Sequence, residues 1–216
     1  MITRYGYDVF LTITLLCVLA LVVALLLVDP KALRYAIVGL SVLLWGFSVN
    51  FFRDPDRSTP AGDGLVIAPA DGKVIAVRTV QEGEYVQAEA TLISIFMSPF
   101  NVHVNRNPVS GVVRYLRYVK GEYFAAFEDK ASEKNEQMII GIEHARGKML
   151  FKQIAGFVAR RIVCTLKPGD PVKAGERFGM IKFGSRIDVF VPMSAVVRVR
   201  VGDVSVAGET VLAEFR

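Results

Sequence analysis

Apolar positions fall along this chain in two regimes. From Val9 to Val28 there are twenty residues without a charge, and from Tyr35 to Phe52 eighteen more. At about 1.5 Å per helical residue these runs reach ~30 and ~27 Å, enough for a hydrocarbon core of about 30 Å. They predict a transmembrane helical hairpin over residues 1–52. A cleaved signal peptide fits less well, because its apolar region would be only about 7–15 residues long. Here "LLLVDPKALRY" leads directly into a second span. The alternative is a pair of buried core helices.

Beyond Phe52 the period changes. Residues 53–64 are polar and rich in Pro, Gly and Asp, as a linker should be. From residue 65 to 216, stretches such as "GKVIAVRTV", "SGVVRYLRYV", "RRIVCTL" and "RIDVFVP" alternate or run apolar between Gly, Pro and Asp turns. That is a period of two, so the domain is expected to be mainly β. "GDPVKAGE" at 169–176 and "GDVSVAGE" at 202–209 share G-D-x-x-x-A-G-E, which suggests repeated turns of a barrel/sandwich-hybrid of the biotinyl or lipoyl type. Residues 120–137 are the least strand-like, a surface helix or a loop with aromatics at Tyr123, Phe124 and Phe127.

Charge adds orientation. Two spans return the chain to its starting side, where Arg4, Arg53 and Arg57 outnumber Lys31 and Arg34 of the short loop, a cytoplasmic bias. Residues 53–216 hold 23 of the 26 basic and 19 of the 21 acidic residues, a net charge of +4. Beside a bilayer each Lys or Arg near the surface contributes about 1 kcal/mol of attraction to anionic head groups. The basic residues are scattered, which argues against nucleic acid as a partner. Cys17 and Cys164 lie in apolar segments and predict neither a disulfide nor a metal motif, and two histidines are too few for the usual zinc peptidase.

Three stretches carry candidate chemistry: "APADGKV" at 68–74, "FMSPFNVHVNRNPVSG" at 96–111 and "FGSR" at 183–186. In this order, with "NEQMII" at 135–140, they resemble the phosphatidylserine decarboxylase family in its short membrane-anchored form. The resemblance implies a proenzyme that cuts itself between Gly184 and Ser185, into a β chain of residues 1–184 and an α chain of residues 185–216. Ser185 would become a covalent pyruvoyl group, with no metal and no pyridoxal phosphate. The product would be phosphatidylethanolamine, made from phosphatidylserine with release of CO2 at the inner (cell) membrane. Homo-oligomerisation is left open.

Elementary chemistry explains these residue types. A serine hydroxyl reaches the preceding carbonyl through a five-membered ring and converts the amide to an ester. Elimination of that ester gives dehydroalanine, and hydrolysis with loss of ammonia leaves pyruvoyl. Gly184 permits backbone conformations that other residues resist. The hydroxyl needs a base, for which His103 is the candidate, with Asp71 orienting its imidazole as in Ser-His-Asp sites. Read alone, a single histidine or an Asp-Gly turn is more often structural. Arg106 and Arg186 are expected to pair with substrate phosphate or carboxylate.

The chain departs from the family's longer members, which have a second histidine where Arg106 stands and usually L-G-S-T where this chain has "FGSR". His144 matches no family motif and is taken as a polar turn residue. The competing reading is a non-catalytic, membrane-anchored biotinyl-like binding or carrier module, with Lys182 as the attachment point.

Overall fold

The computed structural model describes residues 1–121, 134–156, 161–182 and 184–216. The chain divides into two compact units, Met1–Pro55 and Asp56–Arg216.

The first unit is a helical hairpin. Helix α1 (Tyr7–Leu27) and helix α2 (Lys31–Phe51) flank Pro30, which caps α2 where a missing backbone N–H costs nothing. Windows of mean hydropathy 3.1 in Arg4–Leu27 and 1.6 in Lys31–Phe51 make both long and apolar enough to cross a membrane. Leu11, Leu15, Leu19 and Leu26 are exposed. Apart from Phe51 at the end of α2 the buried positions are small, Cys17 and Ala24 on α1 and Ser41 and Ser48 on α2, so the two backbones can approach closely. The Thr3 amide donates to the Phe52 carbonyl at 2.8 Å and that of Asp54 to Met1 at 2.7 Å. Both ends of the hairpin are therefore tied on one side.

The second unit is built of strands in antiparallel pairs. They are β1 (Leu65–Ile67), β2 (Gly72–Glu82), β3 (Ala88–Met97), β4 (Val104–Arg106) and β5 (Gly111–Val119). After these come β6 (Gln137–His144), β7 (Gly147–Ala155), β8 (Ile162–Cys164), β9 (Pro171–Val172) and β10 (Arg177–Ile181). The last are β11 (Ser185–Pro192), β12 (Val196–Val197), β13 (Val204–Ser205) and β14 (Val211–Glu214). A curled sheet runs β13-β2-β3-β11-β7-β6-β5-β9, and two small sheets, β1-β14-β12 and β4-β10-β8, complete the framework.

The alternation read from the sequence sorts residues to two faces. Ile187, Val189 and Val191 of β11 join Ile93, Ile95 and Met97 of β3 and Met149, Phe151 and Ala155 of β7 in the main core. On the opposite face Leu92, Ile139, Leu150 and Phe190 form a smaller one. Strand β11 is thus covered on both faces and buried from Ser185 to Val191, its charged residues Arg186 and Asp188 being paired with each other.

The G-D-x-x-x-A-G-E echo marks a true internal repeat. Its two copies contain β9 and β13, the opposite edges of the large sheet. Gly175 donates to the Asn107 carbonyl and Gly208 to that of Ala68, each at φ +79°. At the centre Ile67 donates to Pro108 and Arg106 to Pro69, a reciprocal pair at 2.8 and 3.0 Å. "PADG" at 69–72 therefore corresponds to "PVSG" at 108–111, a match the sequence echo did not include.

Of residues 53–64, the expected linker, residues 56–64 are fastened to the β unit. Arg177 pairs with Asp56 at 2.9 Å, Glu209 accepts from the Ser58 amide at 3.1 Å, and Arg146 pairs with Asp63 at 2.9 Å. His144 ends β6 at a hairpin turn, accepting from the Arg146 amide and stacking on Phe215 at 5.1 Å. Tyr123, Phe124 and Phe127 lie outside the described residues. Burial pushes the Cys164 thiol up to about 11 against one opposing backbone hydrogen bond, so it stays protonated and unreactive at neutral pH.

The β2–β3 turn gives a pH dependence. Burial alone would raise the Glu82 pKa, but the amides of Glu84, Tyr85 and Val86 donate to its carboxylate at 2.6–2.9 Å and hold it below the usual 4.5. The unfolded chain then binds the proton more tightly than the folded one, so this stabilisation is present above about pH 4.5 and lost as pH falls through the lowered value. Glu82→Gln is expected to lower Tm at pH 7 and to narrow its gap from the parent at pH 4 and below, measured by thermal melts.

Candidate active site

Ser185 opens β11 at the centre of the large sheet, opposite Met97 of β3 and Ala155 of β7. It is fully buried, and its Oγ donates to Met97 Sδ at 3.3 Å. Thioethers are weak acceptors, so the hydroxyl is held loosely. Gly184 precedes it at φ +51°, in the left-handed region, and a Cβ built there meets nothing within 4 Å. Glycine is thus suited to this position by backbone conformation and not by crowding. Asn135, from "NEQ", donates to the Ala155 carbonyl at 2.7 Å and braces the strand end facing Ser185.

His103 follows a tight turn in which Asn101 Oδ1 accepts from both the amide and the hydroxyl of Ser98. The ring is fully buried, with Nδ1 2.9 Å from the Asn101 carbonyl. A carbonyl only accepts, so Nδ1 carries the hydrogen and the lone pair of the neutral ring lies on Nε2. Strand β4 begins at the next residue. Its Asn105 donates to the same Met97 sulfur, at 3.9 Å, and accepts from Gln153 at 2.8 Å. Met97 thereby joins Ser185 to the strand that His103 leads into.

Asp71 is engaged elsewhere. Its carboxylate accepts from the Ala207 amide at 2.7 Å and pairs with Arg57 at 3.0 Å. The expectation that it holds the His103 imidazole is not realised at Nδ1, which faces a backbone carbonyl. Asp71 connects to β4 through its turn, because the Pro69 carbonyl accepts from the Arg106 amide.

The two arginines are both buried. Arg106 Nη1 donates to the Gly175 carbonyl at 2.9 Å. Arg186 is 1% exposed and bonds through Nε to Asp188 at 2.6 Å and through Nη2 to Ser94 at 2.8 Å, on the sheet face opposite Ser185. Sequence reasoning missed Arg57, Asn105 and Gln153. For Gln153 a signal existed: in "MLFKQIA" it holds an inward position of the alternation, in step with Met149, Phe151 and Ala155.

A buried serine behind a left-handed glycine, at the head of a central strand, belongs to a β-domain of definite lineage. The family model described as phosphatidylserine decarboxylase matches residues 44–213. Curated relatives match along the whole chain. The phosphatidylserine decarboxylase proenzymes of Chlorobium chlorochromatii and Chlorobium limicola are 46% and 47% identical, with 100% of each chain covered. That of Chlorobaculum tepidum is 46% identical over 99% of this chain and 97% of its own. This chain belongs to the phosphatidylserine decarboxylase family.

Proposed function

We propose that this chain cleaves itself between Gly184 and Ser185 and then, as a two-chain enzyme, decarboxylates phosphatidylserine to phosphatidylethanolamine at a membrane surface. The observation that carries the reading is Ser185, buried behind left-handed Gly184 in a chain that matches decarboxylase proenzymes from end to end.

In maturation His103 Nε2 takes the proton of Ser185 Oγ as the oxygen bonds to the Gly184 carbonyl carbon and the peptide C–N bond breaks. Removal of the Ser185 α-proton then expels Oγ with the Gly184 carboxylate. One water enters and ammonia leaves. Asp71, with Arg57, is a positioning group for the turn that meets β4. Burial suits the product, because the new N-terminal group stays shielded from water among Met97, Ala155 and the Asn105–Gln153 amides.

That group, a pyruvoyl made from Ser185, supplies an electron-accepting carbonyl for loss of CO2 from an amine-bearing acid. The protein's part is to hold it. Strand β11 pairs with β3 through eight residues and with β7 through six, all in the β chain. The α chain therefore remains docked after the cut. Arg186 and Asp188 anchor its first turn of strand from the opposite face, through Ser94 of the β chain.

The apolar hairpin would keep the domain at the head-group layer, on the cytoplasmic face of the cell membrane by its charge bias. A carrier module fits less well, since Lys182 is only 4% exposed and an attachment lysine must reach partner enzymes. Purified full-length protein in detergent, given phosphatidylserine, is expected to release CO2 and form phosphatidylethanolamine in step with its content of cut chain. Activity from a preparation containing only uncut chain would overturn the proposal.

A further inference from the structure

We infer that Gln153 is the residue that receives the substrate's amine. The inference rests on the decarboxylase reading and adds to it the polar group that reads one end of the substrate. Gln153 is fully buried on β7, on the face that also bears Ser185. Ala155 is the partner of Ser185 and Gln153 that of Ile187, so Gln153 is the diagonal neighbour of Ser185. Diagonal pairs lie about 7–8 Å apart, within the reach of a long side chain.

Its amide is oriented by its neighbours. Nε2 donates to Asn105 Oδ1 at 2.8 Å and to the Val163 carbonyl at 3.4 Å. Two oxygens on that side fix the nitrogen there and turn Oε1 away from them. Among the described residues Oε1 is buried and accepts no hydrogen bond. Buried polar atoms are nearly always paired, so one left over beside a reactive position calls for a partner that arrives from outside.

The chemistry of that partner follows from the atom. An amide oxygen only accepts, so it repels a carboxylate or phosphate and attracts an N–H. A phospholipid head group with a primary amine offers such hydrogens, as an ammonium and as a free amine. Gln153 would then place nitrogen toward the residue-185 carbonyl, with Asn105 holding it in register. The carboxylate to be lost must be bound by other groups.

The test separates this role from maturation. Wild type, Gln153→Met and Gln153→Glu are purified as full chains, and the cut is read by denaturing mass spectrometry. Hydroxylamine labelling of the α chain reports the carbonyl itself. Ethanolamine is then trapped on that carbonyl with cyanoborohydride: a C–N bond forms, water leaves, the reagent supplies hydride, and the adduct is read as added mass.

Loss of a hydrogen bond to a charged group should raise the half-saturating ethanolamine about 10- to 100-fold in Gln153→Met, with cleavage and hydroxylamine labelling unchanged. Gln153→Glu keeps an oxygen acceptor and nearly the same volume, so its half-saturating ethanolamine should not rise. Wild-type trapping in Gln153→Met, or a tenfold loss in a matured Gln153→Glu, would overturn the assignment and leave Oε1 to solvent. If the Met chain fails to mature, the Glu chain alone decides. A wild-type protein with neither cut nor hydroxylamine-reactive α chain would instead remove the decarboxylase reading on which the assignment rests.

Discussion

Ser185→Ala is expected to accumulate as a single chain of 216 residues with no decarboxylase activity, while the parent separates under denaturing conditions into chains of 184 and 32 residues. The reason is bonding and not packing. Self-cleavage needs an oxygen or sulfur on Cβ to attack the Gly184 carbonyl and then to leave, and alanine has neither. The loss should be complete, unlike the graded losses that follow removal of a base. Folding should survive, because among the described residues Ser185 Oγ bonds to Met97 Sδ, a weak acceptor. Replacing a buried hydroxyl by hydrogen where its partner is a thioether costs about 1 kcal/mol or less. Intact mass and a thermal melt decide the matter together. A cut and active Ser185→Ala chain would reject the assignment of the cleavage site.

The second large effect is on the base. His103→Ala should slow self-cleavage by about 10²- to 10⁴-fold, the usual contribution of a positioned general base. Precursor and product would be followed by denaturing gel after synthesis is stopped. Added imidazole should restore part of the rate, since alanine leaves room for a ring where His103 is now buried. The Nδ1 contact to the Asn101 carbonyl predicts further that Nε2 is the working nitrogen. Cleavage at the parent rate in a folded His103→Ala chain would transfer the role to another group. Asp71, committed to Arg57 and the Ala207 amide, should then be the first residue reconsidered.

What could be read from the chain and what could not divide along a physical line. The helical hairpin was legible because each run of about twenty uncharged, apolar residues is long enough to form one unbroken helix, whatever surrounds it. The β character was legible because long strands such as β2, β3 and β11 need many alternations. Strands of two or three residues, such as β8, β9, β12 and β13, leave no period to detect, and the G-D-x-x-x-A-G-E echo around β9 and β13 was what betrayed the repeat.

Side-chain partnerships were the least visible. Asp71 and His103 were paired on analogy with serine-hydrolase sites. A carboxylate, however, bonds whichever donors the fold brings to it, and here these are a guanidinium and a loop amide. Arg186 was read as a substrate group from its place beside Ser185. In a strand, neighbouring residues face opposite ways, so adjacency to the serine put the arginine on the other side of the sheet. The same rule, applied to "MLFKQIA", would have found Gln153.

The reciprocal hydrogen bonds of Ile67 and Arg106 carry an implication for how such a site can arise. Two copies of one half-length chain, joined as a symmetric dimer, could form the same central crossing. Every residue would then occur twice, including any acid at the turn. In the single chain the two turns have diverged: Asp71 accepts from the Ala207 amide where Ser110 accepts from the Ala174 amide, so the capping bond is kept and the charge appears once. Fusion of the halves breaks the symmetry, and with it the obligation to duplicate a reactive centre.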